Sequence, residues 1–225
     1  MYSNYGKETK IEIPLENIKI VGDKFTQLLH KENKTTSANF NTIKAFANAI
    51  EAKDTYTRSH CDRVTKYSVL IGEKMQLSYE ELVNLQYASI LHDIGKIGIP
   101  DVILNKEGPL TNEEYAIIKK HPEIGYEIIK DVKFLRKIAE ILLEHHERID
   151  GNGYPKGLIG NEIDKLAKII SVADSFDAMT SKRNYRGKPL LKNAAIKELM
   201  DNRGTQFDQQ VVDIFVQIVV DKKIS

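Results

Sequence analysis

Cysteine is nearly absent: Cys61 is the one thiol in 225 residues. No internal disulfide can form, which favours a reducing compartment. An excess of either charge is absent too. The formal net charge of +1 leaves no basic field to draw a nucleic-acid polymer, although a small anion in a local pocket stays compatible with it. No apolar run approaches the roughly 20 residues of a membrane helix. The N-terminus, MYSNYGKETK, is polar where a signal peptide would carry an apolar core. The expected setting is cytoplasmic, with no membrane and no nucleic-acid partner. Strand patterns are scarce as well, and Lys10 to Ile13 is the one short candidate.

Helical periodicity takes up most of the rest, so the expected fold class is all-α. Asn39 to Ala52 places Ile43, Phe46, Ala47 and Ile50 three or four apart, which makes one apolar stripe. Ser78-Tyr79-Glu80-Glu81 reads as a capping box opening a helix through Leu82, Leu85, Ala88 and Leu91, and Thr111-Asn112-Glu113-Glu114 repeats the device. Further helices are expected from Phe134 to His146, Lys165 to Ser181, Leu191 to Asp201 and Asp208 to Val220. Glycine and proline gather where helices stop, at Gly95, Gly98 and Pro100 and again from Gly151 to Gly160. The polar run Lys31 to Ser37 reads as a linker. It divides an N-terminal segment of unknown role, 1–37, from a single domain at 38–225.

The chemistry lies in the histidines. His60, His92, His121, His145 and His146 sit at helix ends or beside turns, while His30 stands apart and reads as a surface residue. Asp93 follows His92 directly, just before Gly95-Lys96. Asp174 lies in an apolar helix beginning Ile169-Ile170, where a buried carboxylate needs a partner. A metal would satisfy it. Mixed imidazole and carboxylate donors suit iron, manganese, zinc or nickel better than calcium or magnesium. Five histidines and two aspartates exceed the needs of one ion, so the economical reading is two divalent transition-metal ions. Such a pair can share a hydroxide, lower its pKa and clamp a phosphate for in-line attack.

These motifs resemble the HD-GYP family of bacterial phosphodiesterases, within the HD superfamily of phosphohydrolases. The matching stretches are Asp54 to His60, His92 to Asp101, His121-Pro122-Glu123-Ile124-Gly125, and His145-His146-Glu147-Arg148. Asp150 to Pro155, Ala173-Asp174 with Asp177-Ala178, Arg183 to Arg186, and Gly204 to Asp208 complete the series in family order. The resemblance implies an HD-domain helical bundle with a helical extension and a glycine-rich loop carrying Gly153-Tyr154-Pro155. It implies that His60, His92, Asp93 and Asp174 hold one metal, and that Asp93 bridges to a second held by His121, His145 and His146. Lys96 would contact the scissile phosphate, acting with Asp93 in catalysis. Tyr154, Arg183 and Arg186 would bind the substrate, as arginine suits phosphate and guanine contacts. The implied substrate is cyclic di-GMP, with linear pGpG or GMP as product and iron or manganese as the metal. A regulatory protein or diguanylate cyclase is the partner the resemblance suggests.

Three departures from the family pattern stand out. Tyr56 takes a position where some members carry a glutamate that helps hold a third metal, so two ions are expected. Asn184 replaces the proline of Arg-Pro-Tyr-Arg. Residues 1–37 are too short for the usual N-terminal receiver or sensory domain, so regulation would come from a partner or be absent. Hydrolases of (p)ppGpp or deoxynucleotides would lack the Tyr154 loop and the downstream arginines. A hybrid cyclic GMP-AMP substrate stays open, as does a non-catalytic adaptor that binds the dinucleotide, although such adaptors usually have broken ligand positions.

Overall fold

The computed structural model describes residues 34–53, 60–181 and 188–221. Ten α-helices are found among them: α1 (Lys34–Lys53), α2 (His60–Lys74), α3 (Tyr79–Leu91), α4 (Asp101–Leu104), α5 (Asn112–Ile118), α6 (His121–Ile129), α7 (Arg136–Glu144), α8 (Lys165–Thr180), α9 (Lys192–Asp201) and α10 (Gln209–Val220). No strand occurs among the described residues, only isolated bridges pairing Asp150 with Ile159 and Arg203 with Phe207. The class is all-α, as the periodicity requires. The strand candidate at Lys10 to Ile13 lies outside the described residues, as do His30 and Tyr56.

Both expected capping boxes form. Ser78 Oγ accepts from the Glu81 amide while the Glu81 carboxylate accepts from the Ser78 amide. Thr111 and Glu114 do the same for α5. Asp164 and Asp208 cap α8 and α10 by accepting from amides of the first turn. Each such cap satisfies backbone donors that a helix start leaves open. Helices α2, α4 and α6 have no counterpart in the periodicity reading, and two starts differ from it by two residues or more. Helix α1 is already formed at Lys34, inside the stretch read as a linker, because Lys34, Thr35, Thr36 and Ser37 include no glycine or proline to stop it. The helix expected from Phe134 starts as a 3-10 turn, Lys133–Leu135, and becomes α-helical at Arg136.

Helix α8 is the hub. It packs against α2, α3, α7, α9 and α10 and buries Leu166, Ala167, Ile169, Ile170, Val172, Ala173, Phe176 and Met179. Phe176 meets Tyr67 of α2 and Phe215 of α10 edge to face, with centroids 5.5 and 4.8 Å away, a preferred arrangement for aromatic quadrupoles. Helix α7 buries Ile138, Ala139, Ile141 and Leu142 and leaves Arg136, Lys137 and Glu140 outside. These contacts hold the ends of α2, α3 and α7 and the middle of α8 around one centre.

Candidate metal centre

Three histidines of this centre share one construction. His92 caps the C-terminus of α3, His145 caps that of α7, and His121 follows the end of α5. Each donates from Nδ1 to the carbonyl three residues earlier: His92 to Ser89 at 2.8 Å, His121 to Ile118 at 2.9 Å, His145 to Leu142 at 2.5 Å. Those carbonyls belong to last turns, where a helix leaves acceptors open. The bond fixes the tautomer, so the proton sits on Nδ1 and the Nε2 lone pair points inward. His60 is oriented differently, donating from Nδ1 to the buried Asp177 carboxylate at 2.7 Å, so that Nε2 faces inward.

The four Nε2 atoms converge around Asp93. His60 and His92 face each other at 3.3 Å, as do His121 and His145. Asp93 Oδ2 lies 3.4 Å from His92 Nε2 and 3.8 Å from His60 Nε2, while Oδ1 lies 3.5 Å from His121 Nε2. One carboxylate oxygen therefore turns to each histidine group. Asp174 Oδ1 stands 3.3 Å from His60 Nε2. His146 joins His121 and His145 in a set whose donor atoms all lie within 4.8 Å of one another, and His60, His92 and Asp93 form a second such set. All seven ligand candidates read from the sequence are brought into this one centre. Lys96 places Nζ 2.7 Å from Asp93 Oδ2.

The electrostatics fit divalent cations. Burial holds His121 down to about 4, His145 down to about 3 and His146 well below the ordinary imidazole value. With both Nδ1 atoms occupied, the facing Nε2 atoms of His121 and His145 are two lone pairs that a proton will not reconcile near neutral pH. A cation between them would. Donors about 2.1 Å from a shared ion stand about 3.0–3.4 Å apart, which matches the 3.3 Å spacing. Burial opposes charge on His60, yet the hydrogen bonds to Asp174 and Asp177 outweigh it and hold the ring at about 9. Burial alone would raise Asp93 as well. The Lys96 ammonium, followed by the surrounding imidazoles, keeps it ionised well below the usual carboxylate range.

Two glycines let the pieces approach. A Cβ on Gly95 would lie 1.8 Å from the His121 carbonyl oxygen, and one on Gly153 would lie 2.4 Å from the Arg148 amide nitrogen. Only a residue without Cβ lets the turn carrying Asp93 and Lys96 lie against the start of α6, or the Tyr154 loop lie against residues 147 and 148. The buried Glu147 carboxylate accepts from the Lys156 and Leu158 amides at 2.7 and 3.0 Å and shapes that loop. Arg148 ties it onward to Asp150 and Gln206. Tyr154 consequently stacks on His146, with centroids 4.8 Å apart and 23° between planes. Arg183, Asn184 and Arg186 lie outside the described residues.

Asp177 and Glu147 were quoted within family motifs but given no role by sequence reasoning. Asp177 had a signal. It lies three residues after Asp174 in the same apolar helix, so the argument that found a partner for one buried carboxylate applies to both. Arg63, which donates from Nε and Nη2 to the two Asp177 oxygens, had none.

The family model described as "HD domain" matches residues 44–211. The cyclic di-GMP phosphodiesterase response regulator RpfG of Xanthomonas campestris is 40% identical over 193 residues, covering 85% of this chain and 51% of that protein. A protein of Thermotoga maritima named cyclic di-GMP phosphodiesterase is 45% identical over 171 residues, 75% of this chain and 46% of that one. Vibrio cholerae proteins named 3'3'-cGAMP-specific phosphodiesterases are 34–38% identical. A solved structure of Bd1817, described as an HDG"Y"P protein from Bdellovibrio bacteriovorus, superposes with a TM-score of 0.60 at 28% identity, covering 72% of this chain and 51% of that one. The chain spans about half the length of the first two relatives. By the extent of this match and the motifs it carries, the chain belongs to the HD domain family, on its HD-GYP branch.

Proposed function

We propose that this protein is a metal-dependent phosphodiesterase that hydrolyses cyclic di-GMP to linear pGpG or onward to GMP. The observation that carries the reading is Asp93, whose two oxygens turn to separate histidine groups. His60, His92, Asp93 and Asp174 would hold one ion, and Asp93, His121, His145 and His146 a second, with iron or manganese suited to the mixed donors. Two such ions supply an activated water and charge stabilisation for in-line displacement at phosphorus. The chain's own residues do the rest. The Ser89, Ile118 and Leu142 carbonyls and the Asp177 carboxylate hold the imidazoles in the ligating tautomer. The Lys96 ammonium, seated against Asp93, offers a fixed positive charge to the phosphoryl oxygens as negative charge builds on them. Tyr154, on the ring of His146, would bound the pocket over which a guanine or phosphate lies, with Arg183 and Arg186 as further contacts.

The names of the relatives support a cyclic dinucleotide as the substrate class, and guanine at both positions is the preferred reading over cyclic GMP-AMP. Among the described residues no helix is long and apolar enough to cross a membrane. The single thiol suits a reducing, cytoplasmic setting, with regulation either absent or supplied by a protein partner. The test is to load the purified chain with iron or manganese, supply cyclic di-GMP or 3'3'-cyclic GMP-AMP, and separate the products. Faster formation of pGpG or GMP from cyclic di-GMP supports the proposal. Binding without turnover would make the protein an adaptor, and turnover of the hybrid dinucleotide alone would reassign the substrate.

A further inference from the structure

Beside the histidine centre stand two polar groups without a hydrogen-bond or ion-pair partner among the described residues: the Tyr154 hydroxyl and the Lys119 ammonium. Lys119 Nζ lies 4.8 Å from the centroid of Tyr115 and 5.2 Å from that of Tyr154. The first contact is local, since Tyr115 and Lys119, the residue that caps the C-terminus of α5, are four apart and meet on one face. The second is not. It joins α5 to the glycine-rich loop, and the Tyr154 ring it touches stacks directly on His146. A cation between two π-faces is held in place and partly desolvated, but its charge is not cancelled as a carboxylate would cancel it.

The second lysine of the centre is committed elsewhere, because Lys96 is paired with Asp93 at 2.7 Å. A cyclic dinucleotide carries two phosphates in its ring, and one of them is attacked at a time. The other remains a full negative charge lying away from Asp93. Resting on the proposed function, we infer that Lys119 holds the phosphate that is not being cut. The Tyr154 hydroxyl donates to the same group, so the site selects phosphodiesters that carry a second phosphate over those with one. Lysine suits this role as a point charge on a flexible stem, which follows a phosphate without demanding a planar fit. A phenol holds its proton at neutral pH, so the Tyr154 hydroxyl has one to donate.

The test uses the full metal-loaded chain, with Lys119→Met and Lys119→Arg. Methionine keeps the length and packs on aromatic rings, so the change removes charge with little loss of packing. Two substrates are compared by kcat/KM: cyclic di-GMP, with two phosphates, and bis(4-nitrophenyl) phosphate, with one. The ratio between them should fall about tenfold or more in Lys119→Met, the size of one charge-assisted hydrogen bond, and recover in Lys119→Arg. An unchanged ratio, or equal loss on both substrates, overturns the inference while leaving the phosphodiesterase reading intact. A parent protein that hydrolyses neither substrate overturns that reading instead. Equilibrium dialysis with cyclic di-GMP then still decides the contact, because equal affinity in parent and Lys119→Met removes Lys119 from the site.

Discussion

His60 and Asp177 stand 2.7 Å apart, imidazole Nδ1 to carboxylate Oδ2, with the aspartate fully buried. Arg63 closes the other side of the carboxylate, donating from Nε to Oδ1 and from Nη2 to Oδ2, and reaches the Ser181 hydroxyl as well. The charge of Asp177 is thus shared between a guanidinium and the ring it orients. Such a carboxylate makes the imidazole a more basic ligand and fixes its plane.

Asp177→Asn should therefore weaken metal binding without removing any ligand. The neutral amide can still accept from His60, but it no longer balances Arg63 or strengthens the ring as a donor. Metal titration should show affinity lower by about ten- to a hundredfold. Affinity equal to the parent's would mean that Asp177 serves packing alone.

Metal uptake should release protons near neutral pH, and His60 should be their source. Its pKa of about 9 lies above the ordinary 6.5, so in the metal-free fold the ring is protonated at pH 7. That proton stabilises the metal-free fold fully below pH 6.5, and the contribution is lost as pH rises through about 9. A metal must displace it, so affinity should climb by up to about tenfold per pH unit and flatten above pH 9. His121 and His145, held to about 4 and about 3, are already neutral and add no release in this range. Calorimetry in two buffers of different ionisation enthalpy measures the number of protons. No release between pH 6 and 8 would contradict the assignment.

Lys53 should matter through Lys96. At the end of α1 it donates to the carbonyls of Ile97 and Ile99 at 2.6 and 2.8 Å and pairs with Asp101 at 3.3 Å. It thereby clamps the 3-10 turn, Ile94–Gly98, that carries Lys96. Lys96→Ala should keep metal yet lower turnover by about a hundredfold or more. Lys53→Met should lower kcat by about tenfold, since a small misplacement of a charge aimed at a transition state is costly. In the Lys96→Ala background the Lys53 change should add little, because the group it positions is gone. Full additivity of the two losses would refute the connection.

Gly95→Ala should cost stability and metal together. The new methyl would fall 1.8 Å from the His121 carbonyl oxygen, so either the Asp93 turn or the start of α6 must move. A thermal midpoint lower by several degrees, with reduced metal content at saturation, is the expected result. Parent-like melting and full metal occupancy would show that the two backbones can part freely.

How much of this was legible beforehand differs from residue to residue. Apolar spacing three and four apart declares helices wherever one face must be buried, and Ser78 and Thr111 mark two of their starts, because capping is a local event between residues two or three apart. The identity of the donors was also local: imidazoles at helix ends and carboxylates in apolar helices are chemically conspicuous whatever surrounds them. Chain distance hid the rest. His60 and Asp177 are 117 residues apart, and Lys53 and Ile99 are 46 apart. Nothing in a periodic pattern states which helix end will face which.

By itself, then, the sequence determined the all-α class, most of the longer helices, two of their caps and the stock of ligating side chains, since these follow from backbone hydrogen bonding and side-chain chemistry over a few residues. Tertiary structure decided which oxygen of Asp93 faces which histidines, that Tyr154 lies on His146 with Lys119 above it, and that Glu147 and Asp177 spend their charge orienting neighbours. The reason is physical. Those relations arise when α8 and its neighbours bury their apolar faces together, and burial is the step that turns distant polar groups into partners, because a charge left dry and unpaired is costly.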